Sequence, residues 1–266
     1  RGHPADLPVI REIANKNNLY VIEDGSHSIG SSYTFENNRH MCGDGIHADI
    51  CTYSFHPVKH ITTGEGGAVL TNDHNLYEKL FFLRKHGIDR NESMFNKQKR
   101  VGRWIYDMKD LGFNYRLTEF QAAIGMSQLS RIDESIKRRR DIVTFYNESF
   151  KDFEELIIPH EDLNVNSHFH LYVLQVKDNK FFDRYDLYRF LEENNILPMV
   201  HYIPLHFLSY YKNKFGFKIG DYPVAEKYYS RAISIPLFPN LKDYHIEKVV
   251  KTIESFVELK KKNPTS

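Results

Sequence analysis

The stretch SFHPVKHITTGEGGAVLTND, residues 54–73, sets one lysine, Lys59, between a serine and a cluster of glycines. Most lysines are solvated surface charges, so Lys59 is a candidate nucleophile only if its neighbours build a site around it. Just upstream, ADICTYSF (residues 48–55) reads as a strand ending near Ser54, and Lys59 lies five residues past that serine. GGAVLTN (residues 66–72) reads as a further strand, and LYVIED (residues 19–24) as a short apolar strand that closes on two acids. Helical patterns flank them. PADLPVIREIANKNN (residues 4–18) has Asp6 to cap it, Pro8 in its first turn and Val9, Ile10 and Ile13 as an apolar face, while DHNLYEKLFFLRKHG (residues 73–87) closes at Gly87. Strands alternating with helices predict an α/β layer around a parallel or mixed sheet.

The constellation around Lys59 gains meaning from that layer. In open α/β sheets, ligands gather outside the carboxyl ends of the strands, and Asp24 and Ser54 both end strands. A carboxylate, a hydroxyl and a lysine at one crevice suit pyridoxal 5'-phosphate (PLP). That cofactor needs a lysine for its Schiff base, an acid against its pyridinium nitrogen and donors for its phosphate. The same residues also have plain readings, with Asp24 as a turn residue and Lys59 as a solvated charge.

Farther along, residues 88–110 are polar, carry the single Trp104 and give no clear pattern. LTEFQAAIGMSQLSRID opens with a capping box, Thr118 and Gln121, and the helical pattern runs on through ESIKRRRDIVTFYNESF. Its KRRR (residues 137–140) is expected to be a solvated face, not a nucleic-acid patch. From about residue 156 the pattern becomes α+β: HFHLYVLQV as a strand, DRYDLYRFLEENN as a helix, ILPMV as a short strand, and YPVAEKYYSRAISIPL and YHIEKVVKTIESFVEL as two closing helices. The histidines of HFH, His168 and His170, are expected to be a pair on one strand face; a metal would need further ligands, and none is evident. In VHYIPLHFLSYY, the residues His201, Tyr202 and His206 are open to two readings, substrate contacts or core and rim aromatics.

The totals set bounds. At 266 residues with 41% hydrophobic and 14% aromatic residues, the chain can bury a substantial core in one large domain or two smaller ones. A net charge of +1 gives no electrostatic case for nucleic acid. No apolar run approaches the ~18 residues of a membrane helix. Two cysteines, Cys42 and Cys51, make neither a disulfide framework nor a CxxC spacing, so a reducing, cytoplasmic setting is expected.

Taken together, VIEDGSHSIGSSY, GDGIHADICTYSFHPVKHITTGEGGAVLTND, LRKHGI, LGFNYRLTEFQAAIGMSQLSRID and ISIPLFPNL resemble the DegT/DnrJ/EryC1/StrS sugar-nucleotide aminotransferases across essentially the whole chain. The resemblance implies the aspartate-aminotransferase type of PLP fold. Residues 1–155 would be the C-terminal part of a large PLP-binding domain with a connecting long helix, and residues 156–266 a small C-terminal domain. It implies that Lys59 carries the cofactor and shuttles the proton, that Asp24 pairs with the pyridinium nitrogen, that His27 lies near the ring and that Ser54 binds the phosphate. His27 alone would read as a packed strand-end histidine. Asn114, with Arg116 in a possible shared role, would reach the phosphate site of a neighbouring subunit, making a homodimer with a shared active site. The wording of SFHPVKHITTGEGG is most similar to the branch that aminates C4 of a UDP-linked 4-keto-6-deoxy-N-acetylhexosamine, with glutamate as donor, toward pseudaminic acid. The alternatives are an aminotransferase for a dTDP- or GDP-linked ketosugar, a same-family dehydratase, which Lys59 argues against because that subgroup has histidine there, and a non-catalytic protein that kept the fold. Family members carry a segment ahead of the position of Arg1, with a Ser/Thr-rich loop that cups the cofactor phosphate. The chain is therefore expected to be N-terminally incomplete and, alone, a poor enzyme with part of its sheet uncovered.

Overall fold

The computed structural model describes residues 2–90 and 104–263. The fold divides into two compact units, Pro4–Ile132 and a second made of the chain from Asp133 onward together with the residues ahead of Pro4.

The first unit opens with α1 (Leu7–Lys16), capped by the Asp6 carboxylate, which accepts from the Val9 N–H at 3.5 Å. Its expected apolar face is not its core face: Leu7 and Ala14 are buried, whereas Val9, Ile10 and Ile13 are exposed. Three strands, β1 (Ile22–Asp24), β4 (Ile50–Ser54) and β5 (Gly67–Leu70), form a mixed sheet in the order β1–β4–β5. β1 and β4 are parallel with Asp24 opposite Thr52, and β4 and β5 are antiparallel with Ser54 opposite Gly67. Asp49, one residue ahead of β4, ties the layer together by accepting from the Val21 N–H at 2.6 Å and from Arg11 at 2.9 Å. Between β1 and β4 the chain makes a hairpin, β2 (Ser32–Phe35) with β3 (Asn38–Met41), whose turn residues Glu36 and Asn37 take positive φ. α2 (His74–Leu83) is capped by Asp73, which accepts from the Asn75 and Leu76 N–H groups. It ends at Leu83, earlier than Gly87, because residues 85–88 turn away into β6 (Ile88–Asp89), which pairs with β7 (Asp107–Met108). Of the unassigned stretch 88–110, residues 91–103 lie outside the described residues.

The capping box of Thr118 and Gln121 opens α3 (Glu119–Leu129) as expected. The helical pattern does not run on unbroken. Ser130 and Arg131 both turn back onto the Ser127 carbonyl, and α4 (Ile132–Phe150) starts afresh. The division of the chain accordingly falls ahead of the long helix, not after it at residue 156. The reason is packing: Ile142, Val143, Tyr146 and Phe150 of α4 belong to the core of the second unit.

In that second unit, short strands β8 (Leu156–Ile157) and β9 (Val165–Asn166) lead to β10 (Tyr172–Val176). α5 (Arg184–Glu193), α6 (Ser209–Phe215), α7 (Pro223–Arg231), β11 (Ala232–Ile235) and α8 (Asp243–Lys262) follow. β10 is central in the antiparallel order β11–β10–β8. AISI, expected to prolong a helix, is instead the buried strand β11, since α7 stops at Arg231 and all four residues face protein. ILPMV contributes a single bridge, Met199 to Ser234. His168 and His170 precede β10 and are buried there; a positive φ at Phe169 between them breaks the strand alternation that would have put both on one face.

KRRR is the clearest departure from expectation. Arg139 is only 5% exposed, and its Nη1 donates to the carbonyls of Phe169 (3.4 Å), His170 (3.3 Å) and Leu237 (3.1 Å). Arg138 donates to the Leu241 carbonyl and to Asp243, and Arg140 to Glu161 and the Ser167 carbonyl. Three of the four charges are staples across the second unit, and only Lys137 keeps the solvated i,i+4 role, paired with Asp141.

Candidate active site

β1 and β4 run parallel and end side by side, so Asp24 and Ser54 leave the sheet at the same edge. The turn after Asp24 lies so close to β4 that residue 25 has to be glycine: a Cβ there would stand 2.8 Å from both Cys51 Sγ and the Tyr53 ring. Both cysteines are buried free thiols, and burial pushes Cys42 up to about 12, so neither is a nucleophile at neutral pH. Gly67 is held in the same way, since a Cβ would stand 2.6 Å from the Tyr53 carbonyl oxygen. This close approach lets β5 begin opposite Ser54 and closes the Lys59 loop.

That loop is tied at its neck. The Phe55 N–H donates to the Gly66 carbonyl at 2.9 Å, and the Phe55 carbonyl accepts from the Thr63 N–H and the Thr62 hydroxyl, both at 3.0 Å. Within it, a turn from His56 to Lys59 (N–H to carbonyl, 2.9 Å) presents the lysine. Two glutamines of α3, two turns apart on one face, brace the loop from outside. Gln128 Oε1 accepts from the Thr62 N–H at 3.1 Å, and Gln121 Nε2 donates to the Glu65 carbonyl at 2.8 Å.

Lys59 and Asp24 act on each other electrostatically, and His27 adds to the field at Asp24. Partial burial lowers the Lys59 amine below the ordinary lysine range, and attraction to Asp24 only partly offsets this. The result is a lysine with an enlarged neutral, nucleophilic fraction. Asp24 is held below the usual carboxylate range first by the Ser26 hydroxyl, which donates to Oδ1 at 2.5 Å, then by the Ser26 N–H at 3.1 Å, with His27 and Lys59 helping. Ser54 Oγ accepts from the His56 N–H at 3.4 Å, which leaves its own O–H to donate.

A lysine of depressed basicity, a firmly ionised carboxylate and a hydroxyl with a proton to give are the donor set that a phosphorylated pyridine aldehyde requires. The residues of the first unit fit PLP. Asn114 and Arg116 are placed differently. They lie on an exposed extended segment in which Asn114 bridges to Lys85, between Phe113 and Tyr115, whose rings stack 4.8 Å apart. Among the described residues, no hydrogen bond joins either of them to Asp24, Ser54 or Lys59.

His201, Tyr202 and His206 belong to the second unit. His206 is buried, its Nε2 lies 2.9 Å from Glu226 Oε1, and its ring packs on Phe207 and Tyr222, which is the core reading. Glu226 also accepts from the N–H groups of Gly220 and Tyr222; burial opposes its charge, but these bonds outweigh it and hold the carboxyl low. His201 Nδ1 meets Ser234 Oγ at 2.8 Å, and its ring stands edge-on to Tyr202, which is exposed. Among the described residues, no group of three or more His, Cys, Asp or Glu is arranged to hold a metal.

Ser26, and Gln121 and Gln128 as loop braces, are functional residues that the sequence analysis does not single out. The Asp-x-Ser spacing of an Asx turn was the available signal for Ser26, and the seven-residue spacing of the glutamines for the brace.

The model of the DegT/DnrJ/EryC1/StrS aminotransferase family matches residues 1–254. The chain belongs to this family. Among curated relatives, it is 37% identical to an uncharacterized protein of Methanocaldococcus jannaschii over 257 residues, 96% of this chain and 64% of the relative. It is 35% identical to the UDP-4-amino-4,6-dideoxy-N-acetyl-beta-L-altrosamine transaminase of Campylobacter jejuni over 266 residues, 98% of this chain and 65% of that one. The chain thus spans a little under two thirds of these relatives. Among solved structures, Helicobacter pylori PseC, an aminotransferase involved in the biosynthesis of pseudoaminic acid, superposes with a TM-score of 0.83 at 28% identity, over 96% of this chain and 64% of that one. The PLP form of the Streptococcus pneumoniae sugar aminotransferase Spr1654 gives 0.83 at 26% identity, over 97% and 66%. The mixed α/β architecture is that of the PLP-dependent sugar aminotransferases, and PLP is the cofactor of the family. No helix among the described residues is long and apolar enough to cross a membrane.

Proposed function

We propose that this DegT/DnrJ/EryC1/StrS protein is an aminotransferase that moves an amino group from glutamate to C4 of a UDP-linked 4-keto-6-deoxy-N-acetylhexosamine. The observation that carries the chemistry is that Asp24 and Ser54 leave the carboxyl ends of two parallel strands, with Lys59, its basicity lowered by burial, in the tied loop that follows. Similarity to the altrosamine transaminases of Campylobacter and Helicobacter supports the sugar.

When bound, PLP supplies an electron sink for the carbon that loses a proton. The chain's own residues do the rest. Asp24 stays ionised and would hold a proton on the ring nitrogen of the bound cofactor. Ser54 Oγ, with its O–H free to donate, would bind a phosphate oxygen. Lys59 Nζ, deprotonated more readily than an ordinary lysine, is the nucleophile that holds the cofactor and the base that carries a proton to and from the substrate carbon. His27 would border the ring. Two half-reactions at one site give ping-pong kinetics. Glu119–Leu129 buries none of its residues and leaves Phe120 85% exposed, which supports a second copy that brings Asn114 and Arg116 to the phosphate of its neighbour.

The test is to offer the purified full-length protein, loaded with PLP, a panel of UDP-, dTDP- and GDP-linked 4-ketosugars with glutamate and to measure 2-oxoglutarate. Turnover of the UDP-N-acetyl substrate, lost in Lys59→Ala together with the visible cofactor absorbance, is the expected result. A similarity of 30% to the GDP-perosamine synthase of Escherichia coli favours the GDP-linked sugar as the second reading. Turnover of only that substrate would replace the first reading, and no turnover of any ketosugar by PLP-loaded protein would remove both.

A further inference from the structure

Asp24 closes β1, and a bare aspartate in that place could rotate and titrate freely. Here it does neither. The hydroxyl of Ser26 donates to Oδ1 at 2.5 Å, and the backbone N–H of the same residue donates to the same oxygen at 3.1 Å. Among the described residues, both hydrogen bonds that the carboxylate accepts therefore fall on one oxygen. The turn that delivers them is itself fixed. Gly25 is pressed against Cys51 and Tyr53, and its carbonyl accepts from the Ser28 N–H at 2.9 Å, so Ser26 cannot withdraw without moving the end of the sheet.

We propose that Ser26 is a positioning residue for the transamination: it pins Oδ1 of Asp24 and thereby aims Oδ2 at the ring nitrogen of the cofactor while keeping the carboxylate a weak base. This rests on the reading of Asp24 as the partner of that nitrogen. A charge-assisted bond to one carboxylate oxygen stabilises the anion, and a stabilised anion leaves the shared proton on its partner. Other charges bear on the same carboxylate, His27 from the following turn and Lys59 from the loop after β4, but both can themselves lose charge. The hydroxyl of Ser26 acts at every pH. With Ser26 replaced by alanine, one N–H remains, the carboxylate gains rotational freedom and basicity, and the ring nitrogen spends more time unprotonated.

The experiment has two arms. In the first, the protein without cofactor carries 13C-labelled aspartate, with the Asp24 signal assigned by its loss in Asp24→Asn. Ser26→Ala should move the titration of that carboxyl to higher pH, and Ser26→Thr, which keeps a hydroxyl, should leave it in place. In the second, PLP-loaded Ser26→Ala should lose about tenfold in kcat at neutral pH, as expected for one charge-assisted hydrogen bond. The glutamate KM should change little, the acid limb of its pH profile should move toward neutral, and Ser26→Thr should recover both. An unchanged Asp24 titration in Ser26→Ala overturns the inference, whatever the activity shows. So does a kcat loss that threonine fails to rescue, because that is the mark of a loosened turn. A shifted titration in a protein whose wild-type form transaminates nothing overturns the assignment of Asp24 to the cofactor, and with it the catalytic part of this inference.

Discussion

Replacing Arg139 by methionine, lysine or alanine should give an order of stabilities that chemical similarity alone would not suggest. Burial pulls the guanidinium down to about 10, which corresponds to a desolvation cost of about 3 kcal/mol for the charged form. Against this stand three bonds to carbonyls at 3.1–3.4 Å, with no carboxylate among its hydrogen-bond partners in the described residues. Nη1 has two N–H groups to share among the three carbonyls, so at about 1.5 kcal/mol per long charge-assisted bond they are worth about 3–4.5 kcal/mol together. Arg139→Met forfeits the bonds but also removes the desolvation cost, so the net loss should be about 0–1.5 kcal/mol. Arg139→Lys keeps the charge buried, but its side chain is one atom shorter and its ammonium stops short of the place from which Nη1 serves all three carbonyls, so it should cost about 2–4 kcal/mol. Arg139→Ala adds a cavity and should cost the most, about 3–5 kcal/mol. Urea unfolding of the purified protein, followed by a probe in the Asp133-onward unit, measures each difference at fixed salt. If Arg139→Lys matches the wild type while Arg139→Met is severely destabilised, positive charge and not the reach of the guanidinium is what the three carbonyls need, and the reasoning fails.

Gly67→Ala should displace the start of β5 from Ser54, because its Cβ meets the Tyr53 carbonyl oxygen; we expect a stability loss of about 1–3 kcal/mol and weakened PLP binding, read by urea unfolding and by cofactor titration. Because Asp24 titrates below an ordinary aspartate, its stabilising effect is complete above the unfolded-state pKa and is lost only as pH falls through the lower folded-state value. The Asp24→Asn variant should therefore match wild-type stability in strong acid, fall behind it as pH rises to the ordinary aspartate range and keep a constant deficit above it, and parallel curves throughout would contradict this. At neutral pH the same variant should keep PLP and slow by about 100-fold or more, as measured by single-turnover kinetics. Mixing Asn114→Ala chains with Lys59→Ala chains should restore part of the activity if the site is shared between two copies; proven heterodimers without rescue would return Asn114 to its own subunit or exclude it.

Much of the first unit was legible because its signals are local. Asp6, Asp73 and the Thr118–Gln121 box each announce a helix start within four residues, and strand ends at Asp24 and Ser54 follow from short apolar runs. The misread elements are those where distant packing decides. AISI is a strand because β10 pairs with it; nothing in YSRAISIPL itself distinguishes that from a helix end. Arg139 looks like its neighbours in KRRR, and only the carbonyls of Phe169, His170 and Leu237, far along the chain, give it a buried role. Val9, Ile10 and Ile13 have helical spacing but face away from the local core. In the site, Lys59 stood out by its glycine-rich context, whereas Ser26 looked like one more turn serine until its hydroxyl was seen on Asp24.

The tied neck of the loop from Phe55 to Gly66, braced by Gln121 and Gln128, also bears on how a ligand would be captured. A loop already closed by backbone bonds has lost its conformational freedom during folding, so an arriving cofactor would not have to freeze it. Calorimetry of PLP binding should then show a small entropic penalty and a heat-capacity change no larger than the ligand's own buried area explains. Amide exchange at Thr62 and Thr63 should be slow before the ligand is added, and about as slow afterwards.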